Sequence, residues 1–158
     1  MAKPVSCPRR GVLAGALGIG LLAGFPVLAA RPHRLEVWKS PSCGCCEDWI
    51  AHMRAAGFEV ETHGTGNVAA RARLGLPARY GSCHTAAVAG YVIEGHVPAG
   101  DVARLLREKP RALGLAVPGM PVGSPGMDGP EYGGRKDPYD TLLVESGGRG
   151  HRVFAAHR

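Results

Sequence analysis

Cys43-Gly44-Cys45-Cys46 packs three thiols into four residues, and Cys83, followed by His84, supplies a fourth at a distance. Thiolates act both as nucleophiles and as ligands for soft metals. The run overlaps two signatures, Cys-x-Cys at 43 and 45 and Cys-x-x-Cys at 43 and 46. Taken alone it reads equally as a redox dithiol or as a metal clip. A set of four thiols satisfies Cu(I), tetrahedral zinc or an iron–sulfur cluster. A disulfide-stapled binding module is the weaker reading, because a bridge needs a particular Cα separation and torsion that adjacent cysteines do not reach without strain.

For these residues to act together, the fold must carry Cys83 back to the thiol turn. Arg34 to Lys39 predicts an opening strand with Leu35, Val37 and Trp38 as its apolar residues, and Ser40-Pro41-Ser42 breaks it. Cys46 to Ala56 then has helical spacing, with Trp49, Ile50 and Met53 on one side and Glu47, Asp48 and Arg54 on the other. The thiols therefore sit at a strand-to-helix turn, where free helix N–H groups and the positive end of the dipole favour thiolates. Gly57 ends the helix, Phe58 to Thr62 alternates as a half-buried strand, and Asn67 is placed to cap a second helix running to about Leu74.

Thr85 to Ala89 and Tyr91 to Glu94 flank Gly90 and predict a tight hairpin. Pro98 to Arg107 predicts a third helix, with Val102, Leu105 and Leu106 toward the core and Lys109-Pro110 as its stop. The order β-α-β-α-β-β-α implies an α/β (α+β) fold with helices packed on a small mixed sheet. Between Leu113 and Pro138 the Gly and Pro content argues against any regular helix or strand, and a loop this long in a compact domain is functional or disordered. Thr141 to Glu145 and Arg152 to Ala155, around Gly147-Gly148, suit a closing hairpin.

Residues 1–29 read as a cleaved export signal. Arg9-Arg10 is its charged region, Gly11 to Val27 its uncharged stretch, and Val27-Leu28-Ala29 its cleavage site; Arg9-Arg10-Gly11-Val12-Leu13 resembles a twin-arginine signal. The uncharged run falls short of the roughly 20 apolar residues a membrane span needs, so no membrane association is expected after cleavage. Cys7 precedes the apolar stretch and leaves with the signal. Residues 30–158 then fit a single metal-binding domain in the periplasm. Removing Lys3, Arg9 and Arg10 from the 19 basic residues leaves 16 against 13 acidic ones, a net of +3. Those charges are scattered and not interleaved with aromatics, which argues against nucleic acid as a partner.

The strand-thiol-helix opening resembles a thioredoxin-like fold, and Cys83-His84-Thr85 occupies the segment where thioredoxins carry a cis-proline. A thiol and an imidazole in that place favour a closed ligand shell over a peptide-binding groove. Together with Ser82-Cys83-His84-Thr85, Glu94-Gly95-His96-Val97-Pro98, Gly119-Met120-Pro121 and Gly123-Ser124-Pro125-Gly126-Met127, the thiol run resembles the CopG-like family of periplasmic proteins that accompany bacterial copper-resistance systems, which are distinct from the DNA-binding repressors of the same name. The match spans about Leu35 to Val144.

The resemblance implies a thioredoxin-like fold and copper held by the Cys-x-Cys-Cys thiols with the Cys-His pair. It also implies a role in copper handling that includes redox change of the metal, which would make the protein a copper oxidoreductase. Cys43, Cys45, Cys46 and Cys83 are the expected ligands, and four thiolates around a small turn suit more than one Cu(I) ion. His84 comes next as a ligand or its hydrogen-bonded support. Met120 and Met127 are thioether candidates, as ligands or as a lid, because Gly and Pro leave them little regular surface to pack; Met53 on its helix is core. His96 is a further candidate ligand. Expected partners are copper ions and a periplasmic copper chaperone or efflux system. The rival readings are a thiol–disulfide oxidoreductase using Cys43 and Cys46, and a structural zinc or iron–sulfur protein.

Overall fold

The computed structural model describes residues 32–158, so the export signal expected over residues 1–29 and Cys7 lie outside the described residues. Leu35, Val37 and Lys39 turn to the buried face of β1 (Arg34–Lys39), and Glu36 and Trp38 stay half-buried on the other, the period-2 pattern of a strand. α1 (Gly44–Ala55) buries Cys46, Trp49, Ile50 and Met53, which follow helical spacing on one face. It starts two residues earlier than the apolar pattern predicts, which draws Cys45 into its first turn and makes Cys43 its N-cap. β2 (Glu59–His63) runs parallel to β1.

α2 (Val68–Arg73) follows Asn67, as expected, but Asn67 does not cap it through its side chain. The Asn67 amide donates instead to Ser82 O (3.0 Å) and Thr85 Oγ1 (3.3 Å), since a buried amide bonds whatever acceptors the tertiary fold brings. β3 (His84–Val88) and β4 (Tyr91–Glu94) form the predicted hairpin, with Ala89 and Gly90 both at positive φ (48° and 85°), as a two-residue type I′ turn requires. α3 (Ala99–Glu108) ends at Lys109, which is left-handed.

The first part of the Gly/Pro segment is a strand, contrary to expectation. β5 (Ala112–Ala116) pairs parallel with β4 and antiparallel with β6 (Tyr139–Glu145), which in turn pairs with β7 (His151–His157). Gly114 is not a breaker there: an added Cβ would lie 1.8 Å from Val92 O, so glycine is what lets β5 approach β4. The remainder of the segment, from Val117 to Pro138, is loop apart from a short 3₁₀ turn at Pro130–Tyr132.

The sheet order is β2-β1-β3-β4-β5-β6-β7. Its first four strands, with β1 and β2 parallel and β3 antiparallel to both neighbours, are thioredoxin-like. β5, β6 and β7 extend it to seven strands, so the sheet is larger than the small one the sequence implies. Consecutive residues face opposite sides: Ile93, Leu115 and Leu143 join a main core with Trp49, Ile50 and Met53 of α1 and Val102 and Leu105 of α3, whereas Val92, Ala116 and Val144 pack with Leu76 and Tyr80. α1 is thereby seated on one face of the sheet by fully buried side chains, each worth about 1.5–3 kcal/mol, and the thiol turn at its start is held against β3. No helix among the described residues is long and apolar enough to cross a membrane.

Candidate metal centre

The thiol turn is held at both ends. Lys39, almost fully buried at the end of β1, reaches Glu47 Oε1 (2.6 Å) in the first turn of α1 and donates to Ser40 O (3.1 Å). Cys43 N donates to Ser40 O (3.1 Å), closing the turn. Within it, Cys43 and Cys46 are joined as a disulfide, while Cys45 and Cys83 are free thiols. The three-residue spacing at a helix start puts the bridged Cα atoms 5.3 Å apart, inside the usual range for a disulfide. Cys45 Sγ lies 3.6 Å from Cys43 Sγ and 4.0 Å from Cys83 Sγ.

Cys83 is where two groups of donors meet. The sulfurs of Cys43, Cys45, Cys46 and Cys83 all lie within 4.8 Å of one another, and so do the donor atoms of Cys83, His84 and His96. Cys83 Sγ is 3.0 Å from His96 Nε2 and 3.3 Å from His84 Nδ1. Both imidazoles are fully buried. The His96 Nδ1 faces Pro125 O at 2.7 Å, and a proton on Nδ1 donated to that carbonyl leaves the Nε2 lone pair toward Cys83. A ring nitrogen fixed this way on a backbone carbonyl is the usual support of a metal-binding histidine. His84 packs against Trp49 with ring centroids 4.2 Å apart and the planes tilted by 39°, and its Nε2 has no hydrogen-bonding partner among the described residues.

Burial sets the electrostatics. It pushes the Cys83 thiol up to about 12, with the neighbouring Cys45 adding to the effect. Burial, and then His96 opposite, hold His84 down to about 3, and burial also lowers His96. Absent a cation, the pocket therefore favours a neutral thiol and neutral imidazoles, and a soft cation supplies the charge that a Cys83 thiolate needs. Sulfur with neutral imidazole suits copper or zinc and ill suits a hard, oxygen-seeking ion.

The Gly/Pro loop closes over this centre. Gly126, at positive φ, lies so near the first turn of α1 that an added Cβ would sit 2.5 Å from Cys45 O and 2.8 Å from Trp49 N. The indole N–H of Trp49 donates to Val97 O (2.9 Å), which ties α1 to the segment after His96. Of the loop methionines, Met127 is half-buried and its Sδ accepts a hydrogen bond from Tyr132 OH (3.3 Å), whereas Met120 is exposed. The structure thus brings Cys43, Cys45, Cys46, Cys83, His84 and His96 together, and puts Met127 on the covering loop beside Gly126.

Several supporting residues carry no signal in the sequence. Glu94 accepts from Ser82 N and Thr85 Oγ1, Arg71 pairs with Glu94, Asn67 donates to Ser82 O and Thr85 Oγ1, and Pro125 O faces His96 Nδ1, each pair remote along the chain. Glu94 and Pro125 lie inside motifs noted for their histidine and methionine, but a buried carboxylate or carbonyl declares its partner only in three dimensions.

Comparison with known proteins bears on this geometry. Residues 80–127 match a family described as a protein of unknown function, DUF411, a stretch that holds Cys83, His84, Glu94, His96, Met120 and Met127 but not the thiol turn. No curated protein sequence matches the chain. A solved structure named copper resistance protein CopG, form 2, is 43% identical over 80% of this chain and 99% of its own, with a TM-score of 0.73. Form 1 of the same protein is 44% identical over 80% of this chain and 98% of its own, with a TM-score of 0.72.

Proposed function

This chain belongs to the family of the copper resistance protein CopG, and from that premise we propose that it is an exported copper-resistance protein that takes copper as its cargo at the cysteine centre and lets the metal change oxidation state there. One observation carries the reading: four sulfurs within 4.8 Å of one another, one of which also faces two buried imidazole nitrogens within the same distance. Soft sulfur favours Cu(I) and imidazole serves both copper oxidation states, so the mixed donor set suits a metal that cycles. The number of sulfurs suits more than one ion.

Cys43, Cys45, Cys46 and Cys83 act as ligands in this reading, with His96 and His84 completing the shell or orienting it. Met120 and Met127 offer soft thioethers from the covering loop. Full use of the sulfurs requires that an external dithiol first reduce the Cys43–Cys46 bond to two thiols by thiol–disulfide exchange, itself leaving as a disulfide. The Arg9-Arg10 signal supports export to the periplasm, where a copper chaperone or an efflux system would exchange metal with the site.

Anaerobic titration of the reduced protein with Cu(I), followed by elemental analysis, tests this. Several equivalents are expected in the wild type, and far fewer in Cys43→Ser and in Cys83→Ser. Unchanged stoichiometry in both variants sinks the proposal, and stoichiometric zinc or iron in place of copper redirects it.

The Cys43–Cys46 disulfide favours a second reading, a thiol–disulfide oxidoreductase, because a bridged Cys-x-x-Cys at a helix start is the form such a dithiol takes when oxidised. Metal-free reduction of insulin at a robust rate supports it; inertness in that assay removes it.

A further inference from the structure

The proposed copper site leaves one buried ionisable group without a part. Glu94 ends β4, is fully buried, and is not among the donors around Cys83. Its carboxylate accepts three hydrogen bonds: from Arg71 Nη1 (2.8 Å) and Ser82 N (2.7 Å) on Oε1, and from Thr85 Oγ1 (2.5 Å) on Oε2. Two of these donors flank Cys83-His84. Asn67 holds the same two residues from another side, through Ser82 O and Thr85 Oγ1.

The next two residues continue the pattern. Gly95, at φ 69°, has no room for a side chain, since an added Cβ would lie 2.5 Å from Val117 O and 2.6 Å from Ser82 Cβ. Gly95 N donates to His84 O (3.0 Å), and His96 then places Nε2 on Cys83 Sγ. Ser82 Oγ also donates to Gly119 O, which binds the covering loop to the same segment.

A buried carboxylate is costly unless fully bonded, and a fully bonded one is rigid. A group serving only to hold the hairpin would not need to bind both residues beside the shared sulfur. We propose that Glu94 is the positioning residue of the centre: by fixing Ser82 and Thr85 on either side of Cys83-His84, it aims the Cys83 sulfur at the thiol turn and keeps both imidazoles on it. Arg71 supplies the counter-charge and completes the acceptor, so the pair acts as one clamp.

The test has a metal-free and a metal arm, and only the second rests on the copper reading. Glu94→Gln keeps the volume but removes the charge and one acceptor. In the metal-free arm, alkylation of Cys45 and Cys83 is followed by peptide mass mapping at a temperature where the variant is folded. Cys83 is expected to react at least about 10-fold faster than in the wild type, with Cys45 unchanged; equal acceleration of both thiols means general loosening and overturns the proposal, as does no change in Cys83. In the metal arm, Cu(I) affinity is expected to fall about 10- to 100-fold, the range for groups that orient a ligand, with an altered sulfur-to-copper absorption band. Wild-type affinity and spectrum in the variant overturn it. If the wild type itself takes no copper, the copper reading fails and the alkylation arm alone decides the positioning role. Thr85→Val, which deletes one donor while keeping the Arg71–Glu94 pair, is expected to give a smaller selective rise at Cys83, and carries the test should Glu94→Gln not fold.

Discussion

Cys43 sits at a helix N-terminus without a side-chain capping hydrogen bond, and its sulfur is spent on a disulfide, whereas Cys83 is a free thiol between Ser82 and Thr85, both bonded to the buried Glu94. Both regions face the same point, but they are held differently. The thiol turn is fixed at its backbone and through Lys39, and its sulfurs are left to change partner within a few ångströms. The Cys83 segment is fixed through its side chains and neighbours. One region carries the disulfide and a free thiol beside it, and the other presents a single free thiol with two buried imidazoles. In the proposed reading, a site that admits and releases copper would be served by that division, because adaptability and preorganisation are hard to build into one loop.

Substitutions that blur the two regions break this contrast. Cys83→Ser should have the largest effect, a loss of copper uptake beyond the roughly 10- to 100-fold typical of a supporting residue, since it removes the one sulfur common to both donor groups; elemental analysis after Cu(I) loading measures it. Gly126→Ala forces a Cβ to within 2.5 Å of Cys45 O in a left-handed backbone, and chemical denaturation should show a loss of about 3 kcal/mol. Trp49→Phe leaves Val97 O without its indole donor and should cost about 1–2 kcal/mol in the same assay.

The smallest effect concerns acid. Ala99 N donates to His52 Nε2 (3.1 Å), so α1 caps α3 with a neutral ring. Burial lowers the His52 pKa, against the opposing pull of Asp128. A histidine whose folded pKa is depressed binds fewer protons folded than unfolded, so its contribution is complete above the unfolded value of about 6.5 and is lost as pH falls below it. Below that pH the thermal midpoint of the metal-free protein is expected to fall, driven mainly by His84 and His96, which burial also holds low; the share of His52 is read as a difference, and His52→Gln, whose carbonyl can accept the same N–H at any pH, should make the decline modestly shallower.

Much of this organisation is legible in the chain. Alternation and helical spacing place β1, α1, β2 and α3, each with a more exposed and a more buried face, and the Gly90 turn places the β3–β4 hairpin, whose strands are buried on both faces. β5 escapes because Ala112-Leu113-Gly114-Leu115-Ala116 lies between two strands and carries apolar residues toward both faces, so no alternation marks it. Of the centre, the thiols and His84 announce themselves by spacing. His96 gains its place only when the β4 turn brings it back to Cys83, and Asn67 reads as a helix cap because its true partners, Ser82 and Thr85, are remote until β3 forms. The Cys43–Cys46 pair is legible too, as the Cys-x-x-Cys spacing on which the thiol–disulfide reading rests.

Cys83 belongs to both donor groups, and this has a thermodynamic consequence. An ion among the four sulfurs and an ion at the two imidazoles draw on the same atom, so they either share it as a bridge or compete for it. Their occupancies cannot be independent in either case, and by reciprocity each must change the affinity for the other by the same factor. A copper titration of this protein should therefore depart from the curve of separate, identical sites, and the sense of the departure will tell whether that sulfur is shared or contested.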